Sequence, residues 1–181
     1  TGRTVSVMVG SVSASDTCTL LTWTVTVDVT AVIDSVSVLI TADHTDAAGN
    51  NAVQAATSTV KDTFNPTVAL NAAAAITNAN KTAYTVTGTC SENTRTVTVS
   101  VGGVAASPTC SSGTWTTGAI NVSAAADSAT LSITANHTDS AGNSATQAST
   151  TVVKDTTNPT VAITSSPTIN LANRTAYTVS G

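Results

Sequence analysis

The sequence repeats itself, and the repeat constrains the fold more than any other feature does. The phrase VKDTFNPTVAL at residues 60–70 returns as VKDTTNPTVAI at 153–163, an offset of 93 residues. DHTDAAGN at 43–50 returns at the same offset as NHTDSAGN at 136–143. A fixed period of this length is typical of proteins in which one structural unit is copied along the chain. The fold must therefore be one that a unit of about 93 residues can form and that can be copied along the chain.

The phase of the repeat divides the chain into three parts. We predict a partial repeat at 1–61 that lacks its N-terminal strands, a complete repeat at 62–154, and the start of another repeat at 155–181. A chain that begins and stops inside a repeat is expected of a window from a longer tandem array. The phrase at 153–163 then spans a seam between two domains.

Composition favours an all-β chain. Val and Thr alternate over long stretches, and both are β-branched residues that prefer strands. Hydrophobic residues make up 41% of the sequence, so a folded core is expected rather than disorder. The net charge of −4 offers no basic surface for nucleic acid. No apolar run approaches the roughly 18–20 residues of a membrane-spanning helix, so membrane insertion of this segment is not expected either.

The complete repeat contains short apolar–polar alternations separated by turn residues. We predict strands at 66–70, 82–90, 95–101, 114–123, 129–137 and 146–154. The side chains expected to point inward are Val97, Val99, Val101, Trp115, Leu131 and Ile133. About seven short strands in a unit of this size are typical of an immunoglobulin-like sandwich. We therefore predict tandem immunoglobulin-like β-sandwiches arranged as beads on a string.

The three cysteines are consistent with one local disulfide. Cys90 and Cys110 lie twenty residues apart within one repeat, a spacing that suits a bridge and would place the protein in an oxidising compartment. Two buried free thiols are the alternative. Cys18 corresponds to Cys110, and its expected partner would precede residue 1.

Several phrases resemble a known group of domains. The DTTNPTVAI opening, the TDSAGN hairpin and the Thr-Val strands are similar to bacterial immunoglobulin-like repeats, which occur in large extracellular adhesins, surface stalks and phage fibres. Asn65 and Asn158 stand where the family pattern has Ala, as does Ser140 in the second hairpin. The resemblance implies an extracellular, secreted or cell-surface location.

Calcium is the one cofactor that the residues suggest. In an immunoglobulin-like sandwich, Asp62 at the seam, Glu92 in a loop, and Asp139 and Asn143 in the last hairpin would lie at the same pole. Hard cations prefer such clustered oxygen ligands, and the resemblance implies calcium near domain junctions. Asp155 begins the next seam. The alternative is that Asp and Asn in turns cap their own backbone.

No pattern in the sequence indicates catalysis. His44 and His137 occupy equivalent positions, which favours a structural role, and there is no Gly-rich phosphate loop, CxxC or HExxH. We therefore expect that the protein is not an enzyme. Lys61 and Lys154 end the strand before each seam, and we expect them to be solvated residues that guard a strand end. A crosslink from these lysines to an Asn is the alternative.

The preferred functional hypothesis is a structural stalk or spacer that holds a distal region away from the cell, with neighbouring repeats as its partners. Two alternatives stay open. The chain could bind a glycan or host surface directly, although Phe64 is its single aromatic without a counterpart in the other copy. It could also be a subunit of a self-assembling filament in which copies of the chain pack laterally or exchange strands.

Overall fold

The computed structural model describes residues 2–181, and over that range it contains strands, turns and no helix. The predicted all-β class is confirmed. Because the described residues form no helix, none of them forms one long and apolar enough to cross a membrane.

The first unit is a single sheet of four antiparallel strands in the order β2-β1-β3-β4. Its strands are β1 Arg3–Val9, β2 Val12–Cys18, β3 Ser35–His44 and β4 Ala55–Lys61. In β1, Val and polar residues alternate, so Val5 and Val7 are buried while their neighbours face solvent. Alternation with period two therefore gives this sheet one apolar face.

The second unit is a sandwich of two sheets. One has three antiparallel strands in the order β10-β7-β5, and the other has five in the order β6-β12-β11-β8-β9. The strands of the first are β5 Val68–Leu70, β7 Thr87–Cys90 and β10 Thr114–Thr116. Those of the second are β6 Ile76–Thr77, β8 Val97–Val101, β9 Val104–Ala106, β11 Ser128–His137 and β12 Ala148–Asp155. β6 pairs parallel with β12, and every other pairing is antiparallel.

The core of the second unit lies between these sheets. Val97, Val99, Val101 and Ile133 are fully buried, and Trp115 is 3% exposed. The inward-facing residues predicted from the alternation are therefore all in the core. The Trp115 indole donates its Nε1–H to the Thr89 carbonyl 3.1 Å away, which satisfies its one polar group.

The sequence-predicted strands differ from the observed ones mainly in length. Each prediction overlaps a strand, but the two-residue β6 and the three-residue β9 were missed because neither is long enough to alternate. The strand predicted at 114–123 ends at Thr116, since Gly118 takes a φ of 67° and turns the chain. The one predicted at 82–90 is regular only from Thr87.

The first sheet reproduces part of the second unit. The order β2-β1-β3-β4 matches β9-β8-β11-β12, and the register matches as well, because Val5 faces His44 as Val97 faces His137. No second sheet covers the first one within residues 2–181. Trp23 is consequently 45% exposed. The last part of the chain, 156–181, has a single isolated bridge, between Ser165 and Ser180.

The buried core of the second unit allows a direct test with one matched pair. Ile133→Ala should lower the free energy of unfolding of this unit by about 2–5 kcal/mol, because it leaves a cavity in a close-packed interior. Ile33→Ala removes the same atoms from a residue that is 85% exposed and should change stability by less than about 0.5 kcal/mol. Differential scanning calorimetry of both variants measures the difference, and equal effects would contradict the described core.

Candidate functional site

The seam after the second unit is held by a carboxylate clamp, which we define as Asp127, Lys154 and Thr156. Lys154 donates from Nζ to Asp127 Oδ1 at 2.8 Å. Thr156 donates its backbone N–H to Asp127 Oδ2 at 2.9 Å and its hydroxyl to the same carboxylate. Asp127 directly precedes β11 and Lys154 lies near the end of β12. The clamp therefore fixes the residue at which the chain leaves the sandwich.

The first unit carries the same clamp at the corresponding positions. Lys61 Nζ lies 2.5 Å from Asp34 Oδ1. Thr63 donates both its backbone N–H and its hydroxyl to Asp34 Oδ2, each at 2.8 Å. In both units the register of the neighbouring strands shifts just after the Asp, between Ser35 and Val38 in the first. The bulge and the clamp are thus repeated together.

The two lysines contradict the expectation that they are solvated. Lys154 is 2% exposed, and the side chain of Lys61 is 16% exposed. Since a buried ammonium needs a counter-charge, each lysine is held against an aspartate 27 residues earlier. The sequence-based expectation was wrong because Asp34 and Asp127 were not considered as partners.

The seam between the two units is also held from its other side. Asn143, in the β11–β12 turn of the second unit, donates Nδ2 to the backbone carbonyl of Asp62 at 3.0 Å. One residue later, Thr63 is bound to Asp34 of the first unit. An open cleft of about 510 Å³ between the units is lined by both sides, including Lys61 and Ala141. Consecutive linker residues are therefore bonded to different units.

The turn that reaches the seam is built around a buried carboxylate. Asp139 is 3% exposed, and its Oδ1 accepts the backbone N–H groups of Gly142 and Asn143 at 2.7 and 2.8 Å. Its Oδ2 accepts Asn143 Nδ2 at 2.8 Å. Burial alone raises the pKa of the Asp139 carboxyl, but the hydrogen bonds from Asn143 and Gly142 outweigh it and lower the pKa overall.

His137 joins this turn to the loop after β7. The ring is 2% exposed, with Nδ1 3.1 Å from the Thr96 carbonyl and Nε2 accepting the Glu92 backbone N–H at 3.3 Å. These partners assign the neutral tautomer with the proton on Nδ1, because a carbonyl requires a donor and an N–H requires an acceptor. Both ring nitrogens are therefore engaged in structural hydrogen bonds.

The residues predicted to hold calcium are brought only partly together. Asp62, Asp139 and Asn143 meet at one pole, and Glu92 reaches it through its backbone bond to His137. No group of three or more His, Cys, Asp or Glu side chains that could hold a metal occurs within residues 2–181.

The oxygens at this pole do not fit a calcium ion as they are arranged. The Asp139 carboxylate accepts three N–H groups, and Arg95 Nη2 donates to the Asp139 carbonyl at 2.9 Å. Calcium requires six to eight converging oxygens. Asp62 and Asp155 each accept the N–H two residues ahead, from Phe64 and Thr157, as turn-capping residues do. Calcium therefore stays a prediction from the sequence.

The cysteines lie beside the same pole. Cys90, the last residue of β7, is joined to Cys110 by a disulfide. Cys110 accepts from Thr94 and donates to Arg95 through its backbone, so the bridge ties the three-stranded sheet to the start of the five-stranded one. Cys18 is free.

The clamp aspartates are the functional residues that sequence reasoning missed. A signal was available, because Asp34 and Asp127 stand 93 residues apart, each 27 residues before a repeated lysine, in a chain with only ten acidic residues. Hydrogen bonds from Lys61 and from Thr63 lower the pKa of Asp34 to about 2. Hydrogen bonds from Lys154 and Thr156 likewise lower the pKa of Asp127 to about 2.

These pKa shifts predict a specific acid sensitivity. Because the folded pKa of Asp127 lies below its ordinary 3.8, the clamp stabilises the fold above pH 4, and this contribution is lost as the pH falls from about 4 to about 2. Asp127→Asn should therefore be less stable than the wild type at pH 7 and lose less stability over that interval. Urea unfolding at a series of pH values measures both effects. The control Asp16→Asn removes a carboxylate that contacts only the adjacent N–H of Thr17, and a loss equal to that of Asp127→Asn would contradict the clamp.

A second prediction concerns the buried histidine. His137→Phe keeps an aromatic ring but removes both ring nitrogens, so the Glu92 N–H and the Thr96 carbonyl lose their partner. Each buried unsatisfied group should lower the free energy of unfolding by about 1–3 kcal/mol. His44→Phe is the matched control, since His44 is partly exposed and only its Nδ1 is bonded, to Thr4. Amide hydrogen exchange should show much faster opening of β8 and β11 in His137→Phe, and only a small change in β1 and β3 in His44→Phe. Equal changes would argue against the described hydrogen bonds.

No family model and no curated protein matches the chain. Solved structures that resemble it include a Ca2+-stabilised adhesin that helps an Antarctic bacterium reach out and bind ice (24% identity, 86% of this chain and 41% of that one, TM-score 0.49). Another belongs to a 1.5-MDa bacterial ice-binding adhesin (19% identity, 85% and 53%, TM-score 0.45). A third is a tetra-tandem repeat in the extending region of a large adhesion protein (18% identity, 83% and 42%, TM-score 0.41). The chain thus spans about half or less of the structures it resembles.

Proposed function

We propose that this chain is a structural stalk or spacer segment of a long, repetitive extracellular surface protein or fibre, and that it has no catalytic role. Residues 1–61, 62–154 and 155–181 act as a partial, a complete and a beginning immunoglobulin-like repeat. The division of the first strand of the second unit into β5 in one sheet and β6 in the other supports the immunoglobulin-like assignment. The Cys90–Cys110 disulfide supports an oxidising, extracellular location.

The observation that carries the proposal is the linker bonded from both sides. Thr63 is tied to Asp34 of the first unit, and the Asp62 carbonyl is tied to Asn143 of the second. A linker held at consecutive residues has few free dihedral angles, so the angle between units is restricted. Restricted angles at successive seams would make an array extend rather than coil, which is the property a spacer needs.

Direct adhesion is the second candidate, and it has one supporting observation. Phe64 is 75% exposed at the first seam, where an aromatic face could stack on a sugar ring. Its counterpart at the second seam is Thr157. A binding function carried by Phe64 would therefore act at one seam only. Loss of glycan-array binding in Phe64→Thr would favour it over the stalk.

The spacer proposal is tested by loosening the first seam without touching either core. Asp34→Asn removes the charge that holds Lys61 and Thr63. We expect small-angle X-ray scattering, extrapolated to zero concentration, to show a broader distribution of distances than in the wild type. Asp43→Asn is the control, because Asp43 lies at the other end of β3 and contacts Gln54. Scattering unchanged by Asp34→Asn, with the first sheet intact by NMR, would contradict a clamped seam.

The same measurement with excess calcium or with a chelator decides how metal contributes. The seam as described is held by bonds between protein groups, so we expect its scattering and its melting temperature to be unchanged by chelation. A broader distance distribution and a lower melting temperature in chelator would instead support the calcium site predicted at Asp62, Glu92, Asp139, Asn143 and Asp155.

A further inference from the structure

The chain enters and leaves the second unit at opposite ends of its last strand. At the entry, the Asp62 carbonyl accepts a hydrogen bond from Nδ2 of Asn143, which lies in the β11–β12 turn. From that turn β12 runs for eight residues to Asp155, where the next linker begins. At about 3.3 Å per residue, the strand separates the two points by roughly 26 Å. Tension between the two linkers therefore acts along β12.

β6 resists this tension because it runs parallel to β12. Ile76 lies opposite Lys154, and Thr77 lies opposite Asp155. The chain reaches β6 from the entry and leaves β12 at the exit, so tension moves the two strands lengthwise past each other. All the hydrogen bonds between them are then loaded together, whereas an antiparallel hairpin pulled from its open end peels one bond at a time. Bonds that share a load break at a higher force.

Other contacts hold the same stretch of chain. β5 is bonded lengthwise to β7, with Val68 opposite Cys90. Just after β5, the Asn71 N–H donates to the Thr87 carbonyl at 3.0 Å. Ile76 is fully buried, so sliding of β6 would draw its apolar side chain out of the core. The first strand of the unit is thus anchored in both sheets.

One side chain fixes the shape of β6. Asn80 Oδ1 accepts the Thr77 N–H at 2.8 Å, and Asn80 Nδ2 donates to the Ala75 carbonyl at 3.0 Å. Ala75 and Thr77 are the neighbours of Ile76 in the chain. Asn80 therefore holds the backbone on both sides of Ile76 in the conformation that pairs with β12.

The disulfide removes two core strands from the path along which tension passes. Cys90 ends β7, and its partner Cys110 lies twenty residues later, before β10. β8 and β9 both lie between the two cysteines. Because the covalent bridge carries tension directly from one cysteine to the other, the intervening residues are not stretched even when the rest of the unit unfolds. A loop that stays closed also loses less entropy on refolding.

We propose that the second unit is a tension-bearing module. The lengthwise pairing of β5 and β6 with their neighbours sets the force at which the unit opens, and the Cys90–Cys110 bridge limits how far it then extends. The source of tension rests on the proposed spacer function, because a stalk that connects a cell to a distal region is pulled along its length. The opening force and the extension are properties of the fold, and they can be measured whether or not the chain is a spacer.

Optical tweezers test the direction of loading on the polypeptide of residues 1–181, held by peptide tags at its two ends. Ile133→Ala identifies the unfolding event of the second unit, because it weakens the core of that unit. In a second geometry the chain is held at Ala129, near the start of β11, and at its C-terminal end, so that β11 and β12 peel apart. We expect a lower unfolding force in this geometry at equal pulling speed. Equal forces in the two geometries would overturn the proposal.

A matched pair of variants locates the resistance in β6. Asn80→Ala removes the bonds to Thr77 and Ala75 and should lower the unfolding force of the chain pulled from its ends. Asn121→Ala should unfold at the wild-type force, because the hydrogen bonds of the Asn121 side chain go to Ser123 in its own turn. Urea unfolding of both variants measures their overall stability. Forces that fall in both variants only in proportion to lost stability would contradict a role for β6.

Reduction tests the limit on extension. In dithiothreitol the length released by the second unit should rise by about 60–66 Å, which is the twenty-residue separation of the cysteines at about 3.3–3.6 Å per residue, less their Cα–Cα distance of 6.0 Å. Cys18→Ser should show the same rise, since Cys18 is free. Equal lengths before and after reduction would overturn the proposed limit. Seam scattering is independent of these measurements, so failure here leaves the spacer proposal intact, and a loose seam with the expected forces would contradict the spacer alone.

Discussion

Every sheet in this molecule has one apolar face, and the structure depends on whether a second layer covers it. In the second unit the three-stranded sheet provides that layer, and Ile133 and the valines of β8 are sealed from water. In the first unit the same residue pattern forms the same sheet, but Trp23 stays half exposed. Since burial of apolar area supplies most of the free energy of folding, coverage by a second layer rather than strand formation is what distinguishes the second unit from the first.

The seams depend on a different interaction, between a carboxylate and a neighbouring lysine and threonine. Asp127 binds the last strand and the first linker residue of the same unit, and Asp34 does so 93 residues earlier. The lysine is buried and needs its aspartate, while the linker N–H needs an acceptor. One side chain satisfies both requirements, so the position at which the chain leaves each unit is fixed at its last strand. The following unit then binds the linker through Asn143, which lies in its β11–β12 turn and donates to the Asp62 carbonyl.

Much of the fold could be predicted because it is local and periodic. Alternation placed Val97, Val99, Val101 and Ile133 in the core, and turn residues marked the hairpin after β11. The short strands β6 and β9 carry no periodic signal and form only because neighbouring strands offer hydrogen bonds. The candidate site was predicted less well. Asp139 and Asn143 do lie near Asp62, as expected, but the Asp139 carboxylate is occupied by N–H groups of its own turn. The aspartates that hold the seams, Asp34 and Asp127, were not among the expected ligands.

The sequence by itself determined the repeat, the all-β class and the inward and outward faces of the main strands, because each follows from spacing along the chain. Tertiary structure alone decided that Lys154 is buried against Asp127, that His137 bridges Glu92 and Thr96, and that the Trp115 indole packs on Gly88. These contacts join residues that are far apart in sequence. Whether a charge is solvated or an indole is covered depends on what the folded chain places beside it.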